Sequence, residues 1–313
     1  MNTLAVTNPA RPGPRAAPRA ANLQYEALLR EPANFTAADR VVAIPASGLG
    51  PTGLAVGVFE PDGPARAVLV FYHGGGAHRA AYGGMADRIR RIAPIAVLTP
   101  DLRGHGGSGG ARGFAATPEG VWADVDLTVA WARRAYPGAA VFVGGHSSGA
   151  GMTVNWASHR ADAAADIAGL VLLAPMLTAR PNGFAQARPW VFMAYRLSAG
   201  RLMARAAAVR FAYPPGEAAA RGLVEAYSPG MSLAVTPRDA RRALGRIAPP
   251  VLMLAAAEDE LSDAEATRAV AGRSTFDVVA GSHLSCLLPA ALPLARFIAA
   301  AWAGPSDEGD HSK

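Results

Sequence analysis

Short, almost wholly apolar runs recur along the chain, each closed by Gly, Pro or a polar turn. Residues 67–72, Ala-Val-Leu-Val-Phe-Tyr, form the clearest one. Residues 95–99, 140–143, 167–173, 250–254 and 276–279 repeat the pattern. Runs without polar alternation predict strands covered on both faces. Residues 41–46 and 54–59 read as two earlier strands separated by Gly and Pro turn signals. Helical spacing predicts helices at 82–91, 118–135, 152–159 and about 287–302. Strands alternating with helices predict an α/β fold, a mostly parallel central sheet with helices on both faces. In such sheets, sites lie beyond the carboxyl ends of the strands.

The rhythm breaks at 177–240, where aromatic and Arg-containing segments show helical spacing and no convincing strand. This stretch reads as a helical cap inserted between a first core part, 36–176, and a second, 241–303. Residues 1–35 read as a flexible leader and 304–313 as a polar tail. No run of seven or more apolar residues follows the arginines of the leader, which argues against a secretory signal. No stretch approaches the roughly 18 apolar residues of a transmembrane helix.

At 313 residues and 51% apolar content, the chain has enough material for one large core. Its net charge is +6, carried by scattered arginines with a single lysine at the end. No recognition motif accompanies them, which argues against nucleic acid as a partner. The single cysteine, Cys286, excludes an internal disulfide and a cysteine-based metal site, and fits a cytoplasmic protein. No cofactor or metal is called for.

The strand at 140–143 runs into Gly144-Gly145-His146-Ser147-Ser148-Gly149, and a helix leaves it. Gly145 to Gly149 spell G-x-S-x-G, the nucleophile elbow when it joins strand to helix. Ser147 is then the nucleophile, presented at a helix N-terminus that favours developing negative charge. A serine needs a base. Of seven histidines, His283 follows a strand late in the chain and lies in a short Gly-Ser-His loop. The base needs an acid. Asp259 follows the strand at 250–254, with Glu258, Glu260 and Asp263 as rivals. An oxyanion needs two donors. The backbone N–H of Ser148 is one, and the loop His73-Gly74-Gly75-Gly76 supplies the other, with Gly75 first and Gly76 and Gly74 behind it.

These pieces, with Asp101-Leu102-Arg103-Gly104-His105-Gly106-Gly107-Ser108 and Leu172-Leu173-Ala174-Pro175, occur in order over about residues 65–300. On them the chain resembles the serine α/β-hydrolases, in particular the monoacylglycerol-lipase-like, serine aminopeptidase S33 or lysophospholipase-type branch. The resemblance implies that Asp101 and Arg103 brace their loop, and that the cap supplies an acyl pocket. For that pocket it points to Trp190 and Tyr195 beside His73, Gly74 and Gly76. Serine at 147 argues against the dehalogenase and epoxide hydrolase relatives, which use Asp there. Two departures stand out: Ala256 where the acid's strand usually has Gly, and Ser148 where many relatives have a large apolar residue.

The expected activity is hydrolysis of a small carboxylic ester with a hydrophobic acyl or aryl group, through an acyl-enzyme. The alternatives are an acyltransferase, thioesterase or cyclase with the same triad, or a non-catalytic binding protein on the scaffold. Arg196, Arg201, Arg205 and Arg210 suggest a basic outer face on the cap and a weak contact with a membrane surface.

Overall fold

A computed structural model describes residues 35–177 and 185–302. The leader (all but its last residue), the polar tail and residues 178–184 of the cap lie outside this range. Eleven strands carry the described architecture. β1 (Arg40–Ile44), β2 (Leu54–Phe59), β3 (Ala67–Tyr72), β4 (Ile95–Pro100), β5 (Ala140–His146), β6 (Gly169–Leu173), β10 (Val251–Glu258) and β11 (Thr275–Ser282) form one eight-stranded sheet. Its order is β1-β2-β4-β3-β5-β6-β10-β11. β1–β2 and β2–β4 pair antiparallel, and every other pair is parallel.

Successive residues of β3 point to opposite faces. Val68, Val70 and Tyr72 enter the core beneath helices Pro118–Ala135 and Ser148–His159. Ala67, Leu69 and Phe71 enter the core beneath helices Gly83–Ile92 and Leu287–Ala299. The sheet is thus apolar on both sides, which is why its strands read as continuous apolar runs. Among the described residues, no helix is long and apolar enough to cross a membrane.

The insert departs from the expectation of helices alone. β7 (Ala185–Ala187), β8 (Val209–Phe211) and β9 (Ala226–Tyr227) form a small antiparallel sheet, with helix Pro189–Leu197 after β7. Strands of two and three residues are too short to show alternation. Helix Pro229–Val235, capped by Ser228 Oγ accepting from Met231 N, packs on the core, with Met231 and Ala234 fully buried. Asn155 Nδ2 and Trp122 Nε1 both donate to its Ala234 carbonyl.

Candidate active site

The turn at Ser147 forms because its flanks carry no side chains. A Cβ on Gly145 would lie 2.6 Å from the Gly149 carbonyl carbon, and one on Gly149 2.5 Å from the His73 carbonyl oxygen. Ser147 itself adopts φ 57° and ψ −122°. A non-glycine residue held there costs on the order of 1–3 kcal/mol, which the surrounding packing must supply. Its N–H donates to the Leu173 carbonyl at 3.0 Å, tying the turn to the end of β6.

Three of the residues singled out in the sequence meet at this turn. Ser147 Oγ is 2.8 Å from His283 Nε2. His283 Nδ1 is 3.0 and 2.9 Å from the two oxygens of Asp259. All three are buried. Burial opposes the charge on Asp259, but hydrogen bonds from His283, Ser262 N–H and Leu261 N–H outweigh it and hold the carboxyl below its ordinary value. The rival carboxylates are engaged elsewhere. Glu260 Oε2 accepts from the backbone N–H of His283, Asp263 caps helix Ala264–Ala271, and Glu258 is exposed.

The glycine loop after β3 lies across from Ser147. Gly74 N–H donates to the Tyr82 hydroxyl, and Gly76 N–H to the Tyr227 hydroxyl. Gly75 N–H and Ser148 N–H have no hydrogen-bond partner among the described residues. Both residues line a small cleft, about 70 Å³, together with Ser147 and His283.

Several buried partners were not signalled by the sequence. The Tyr82 hydroxyl donates to His146 Nδ1, and His146 Nε2–H donates to the His283 carbonyl. Cys286 Sγ–H reaches the same carbonyl at 3.3 Å, and burial raises its thiol pKa, so it stays protonated. The expected bracing of the loop after β4 is present. Asp101 accepts from Arg79 N–H and Gly107 N–H, and Arg103 grips Asp124 with two bonds of 2.7 Å.

A larger cavity of about 840 Å³ adjoins the cleft. Ser148, Met176, Ala185 and Phe211 line both. Its remaining wall includes Phe192, Met193 and Leu197 from the insert. Of the five pocket residues His73, Gly74, Gly76, Trp190 and Tyr195, Gly74 lines the cleft and the other four line neither space. His73 is buried beneath the loop, donating from Nδ1 to the Gly74 carbonyl and accepting at Nε2 from Leu102 N–H. Gly76 is bonded to the insert through both its N–H and its carbonyl. Trp190 is 54% exposed and faces away, and Tyr195 donates its hydroxyl to the Ala116 carbonyl. On helix Pro189–Leu197, Val191 and Tyr195 are the buried residues, and Phe192, Met193, Arg196 and Leu197 line the cavity.

The family model described as serine aminopeptidase, S33, matches residues 63–279. Human (Homo sapiens) monoglyceride lipase is 31% identical over 124 residues, 40% of this chain and 40% of that protein. The chain thus spans about 40% of the length of the curated relatives it matches. A monoacylglycerol lipase from Paleococcus ferrophilus superposes with a TM-score of 0.60 at 22% identity, over 79% of this chain and 99% of that one. A soluble variant of monoglyceride lipase from Saccharomyces cerevisiae, solved with a substrate analog, gives 0.61 at 16% identity, over 80% and 94%.

Proposed function

We propose that this chain, which belongs to the serine aminopeptidase S33 family and has the α/β-hydrolase fold, is a serine hydrolase of carboxylic esters with a hydrophobic acyl or aryl group. The observation that carries this reading is one continuous hydrogen-bond line, Ser147 to His283 to Asp259, ending in a cleft with two unpartnered N–H groups. A line of this kind raises the nucleophilicity of a serine hydroxyl, and the N–H pair meets the charge that develops on attack. The monoglyceride lipase relatives favour an ester over a peptide.

In this mechanism His283 Nε2 takes the Ser147 proton as Oγ attacks the ester carbonyl carbon. The oxyanion is held by the N–H groups of Gly75 and Ser148. The tetrahedral adduct collapses, the C–O bond to the alcohol breaks, and the alkoxide takes the proton from His283. Water then gives a proton to His283 and attacks the acyl-enzyme, releasing the acid and restoring Ser147. Asp259 keeps the Nδ1–H tautomer of His283 and stabilises the imidazolium. The apolar cavity receives the acyl group, whose size suits a volume within the roughly 300–1,000 Å³ of small-molecule sites.

Trp190 and Leu202 are exposed on the insert, Met193 and Leu197 are exposed along the cavity wall, and Arg196 and Arg201 lie among them in sequence. That combination supports a weak contact with an anionic membrane surface. The direct test of the catalytic reading is a fluorophosphonate label with mass mapping, beside Ser147→Ala and His283→Ala. The label is expected on Ser147 alone. Labelling elsewhere, or unchanged ester turnover in folded Ser147→Ala, would overturn the mechanism.

A further inference from the structure

Among the described residues that line the large cavity, two are charged, and both are arginines, Arg196 and Arg238. No Asp or Glu lines it. The two cations come from different elements. Arg196 lies near the end of helix Pro189–Leu197, and Arg238 in the loop after helix Pro229–Val235. Neither guanidinium has an ion pair or hydrogen bond among the described residues. Arg79, Arg90 and Arg103, on the core, each meet a carboxylate.

Burial sets the direction of the cavity. Ser148 and Phe211 also line the catalytic cleft, and Tyr227 and Val235 of the wall are buried. Arg196, Leu197, Thr236 and Arg238 are exposed. The two cations thus stand where the cavity meets solvent, open to a group that reaches them from within. Phe192 and Arg196 both line the cavity, and four positions apart they share one face of their helix. A chain packed on Phe192 therefore meets the guanidinium about 6 Å further along the helix axis.

An apolar wall ending in water suits an alkyl chain of any length. Two cations at its opening, with no carboxylate beside them to offset their charge, set up a positive potential that attracts an anion. A guanidinium also matches a carboxylate in shape, with paired N–H donors for its two oxygens. The acyl group stays attached to Ser147 through both half-reactions, so the largest volume adjoining Ser147 is its place.

We propose that the acyl group this cavity selects ends in a carboxylate, held by Arg196 and Arg238, so that the substrate is a half-ester of a long-chain dicarboxylic acid. This proposal rests on the ester-hydrolase reading of the same site. The chemistry at Ser147 is unchanged: water cleaves the ester, releasing the alcohol and a dicarboxylate. Phe192, Phe211 and Val235 pack against the methylenes, and the arginines read the far end.

The test uses the p-nitrophenyl half-esters of adipic, suberic, sebacic and dodecanedioic acids, each beside its methyl-capped, uncharged counterpart. The readout is the ratio of kcat/KM for the free acid to that for the capped ester. In the full chain the ratio is expected to reach about tenfold at the length that brings the carboxylate to the arginines, about threefold from each, as for partly exposed ion pairs. It should shrink in about 0.5 M sodium chloride, which screens such pairs. Arg196→Gln and Arg238→Gln should each lower it about threefold, whereas Arg196→Lys and Arg238→Lys, which keep the charge, should retain most of it. A ratio near one at every chain length overturns the proposal, as does a ratio that the double Gln variant leaves unchanged; the ester-hydrolase reading survives both results. Turnover of no ester, with no fluorophosphonate adduct on Ser147, removes that reading and this proposal with it.

Discussion

The Tyr82 hydroxyl sits 2.9 Å from His146 Nδ1 and accepts the Gly74 N–H at 2.8 Å, so one phenol joins the glycine loop to the imidazole behind His283. His146 continues the line to the His283 carbonyl at 2.8 Å. The glycine loop and His283 are thereby tied to one another through two side chains of the cleft wall.

Tyr82→Phe breaks this line at its centre. It leaves Gly74 N–H and His146 Nδ1 each without the phenol, at a cost of about 1–3 kcal/mol for a buried group. Positioning should suffer more than binding, so kcat on a p-nitrophenyl ester is expected to fall about tenfold with little change in KM.

The register of the acid is decided by comparing neighbours. Asp259→Asn offers His283 Nδ1 an amide, favours the wrong tautomer, and should lower kcat by about 10⁴. Glu260→Gln keeps an acceptor for His283 N–H and should leave kcat within about threefold of the parent, the cost of roughly half of one ordinary hydrogen bond. Asp263→Ala removes a helix N-cap, so its effect should appear as about 1 kcal/mol of lost stability and not in kcat. Steady-state kinetics and urea melts of the three variants separate these roles.

Stability should fall on mild acidification. Burial lowers His73 to a pKa of about 4 and His146 to about 3, and each is held neutral by a hydrogen bond donated from one ring nitrogen and another accepted at the other. Between these values and about 6.5, the unfolded chain binds these protons and the folded chain does not. Stability then rises with pH, and each histidine takes away about 1.4 kcal/mol per pH unit as pH drops through that window. Asp259, lowered on folding, acts in the same direction below the ordinary carboxylate value. Urea midpoints measured from pH 7 to 4.5 should decline steadily, and a flat profile would contradict the neutral burial of these rings.

Gly76→Ala is expected to disturb the junction between insert and core. The residue has φ 69°, and a Cβ there would lie 2.6 Å from the Val224 carbonyl oxygen and closer still to the Tyr213 hydroxyl. Strain of roughly 1–3 kcal/mol should appear in the melting transition. Ester turnover should fall as well, because Gly75 is the next residue.

Much of this was legible in the sequence because burial on both faces writes a strand as an unbroken apolar run. β2 and β3 fall on the expected residues, and helix Pro118–Ala135 matches at both ends. Ser147, Asp259 and His283 were legible because each follows a strand of a parallel sheet. The braces were not. Tyr82, His146 and Glu260 act on backbone atoms of residues 8 to 137 positions away, and no local pattern announces such a bond. The three strands of the insert were missed because each has only two or three residues.

Gly76 gives its N–H to the Tyr227 hydroxyl and receives the Val224 N–H on its carbonyl, so a residue of the core loop is held from above by two residues of the insert. Inserts of this kind are attractive units for recombination, since they enter and leave between core strands. Here such a graft would carry away the partners of the loop beside Ser147. A chimera that exchanges the insert must therefore bring equivalents of Tyr227 and Val224 at the same height. Exchange within the segment before β8, which Gly76 does not contact through these bonds, is the safer route to a new substrate range.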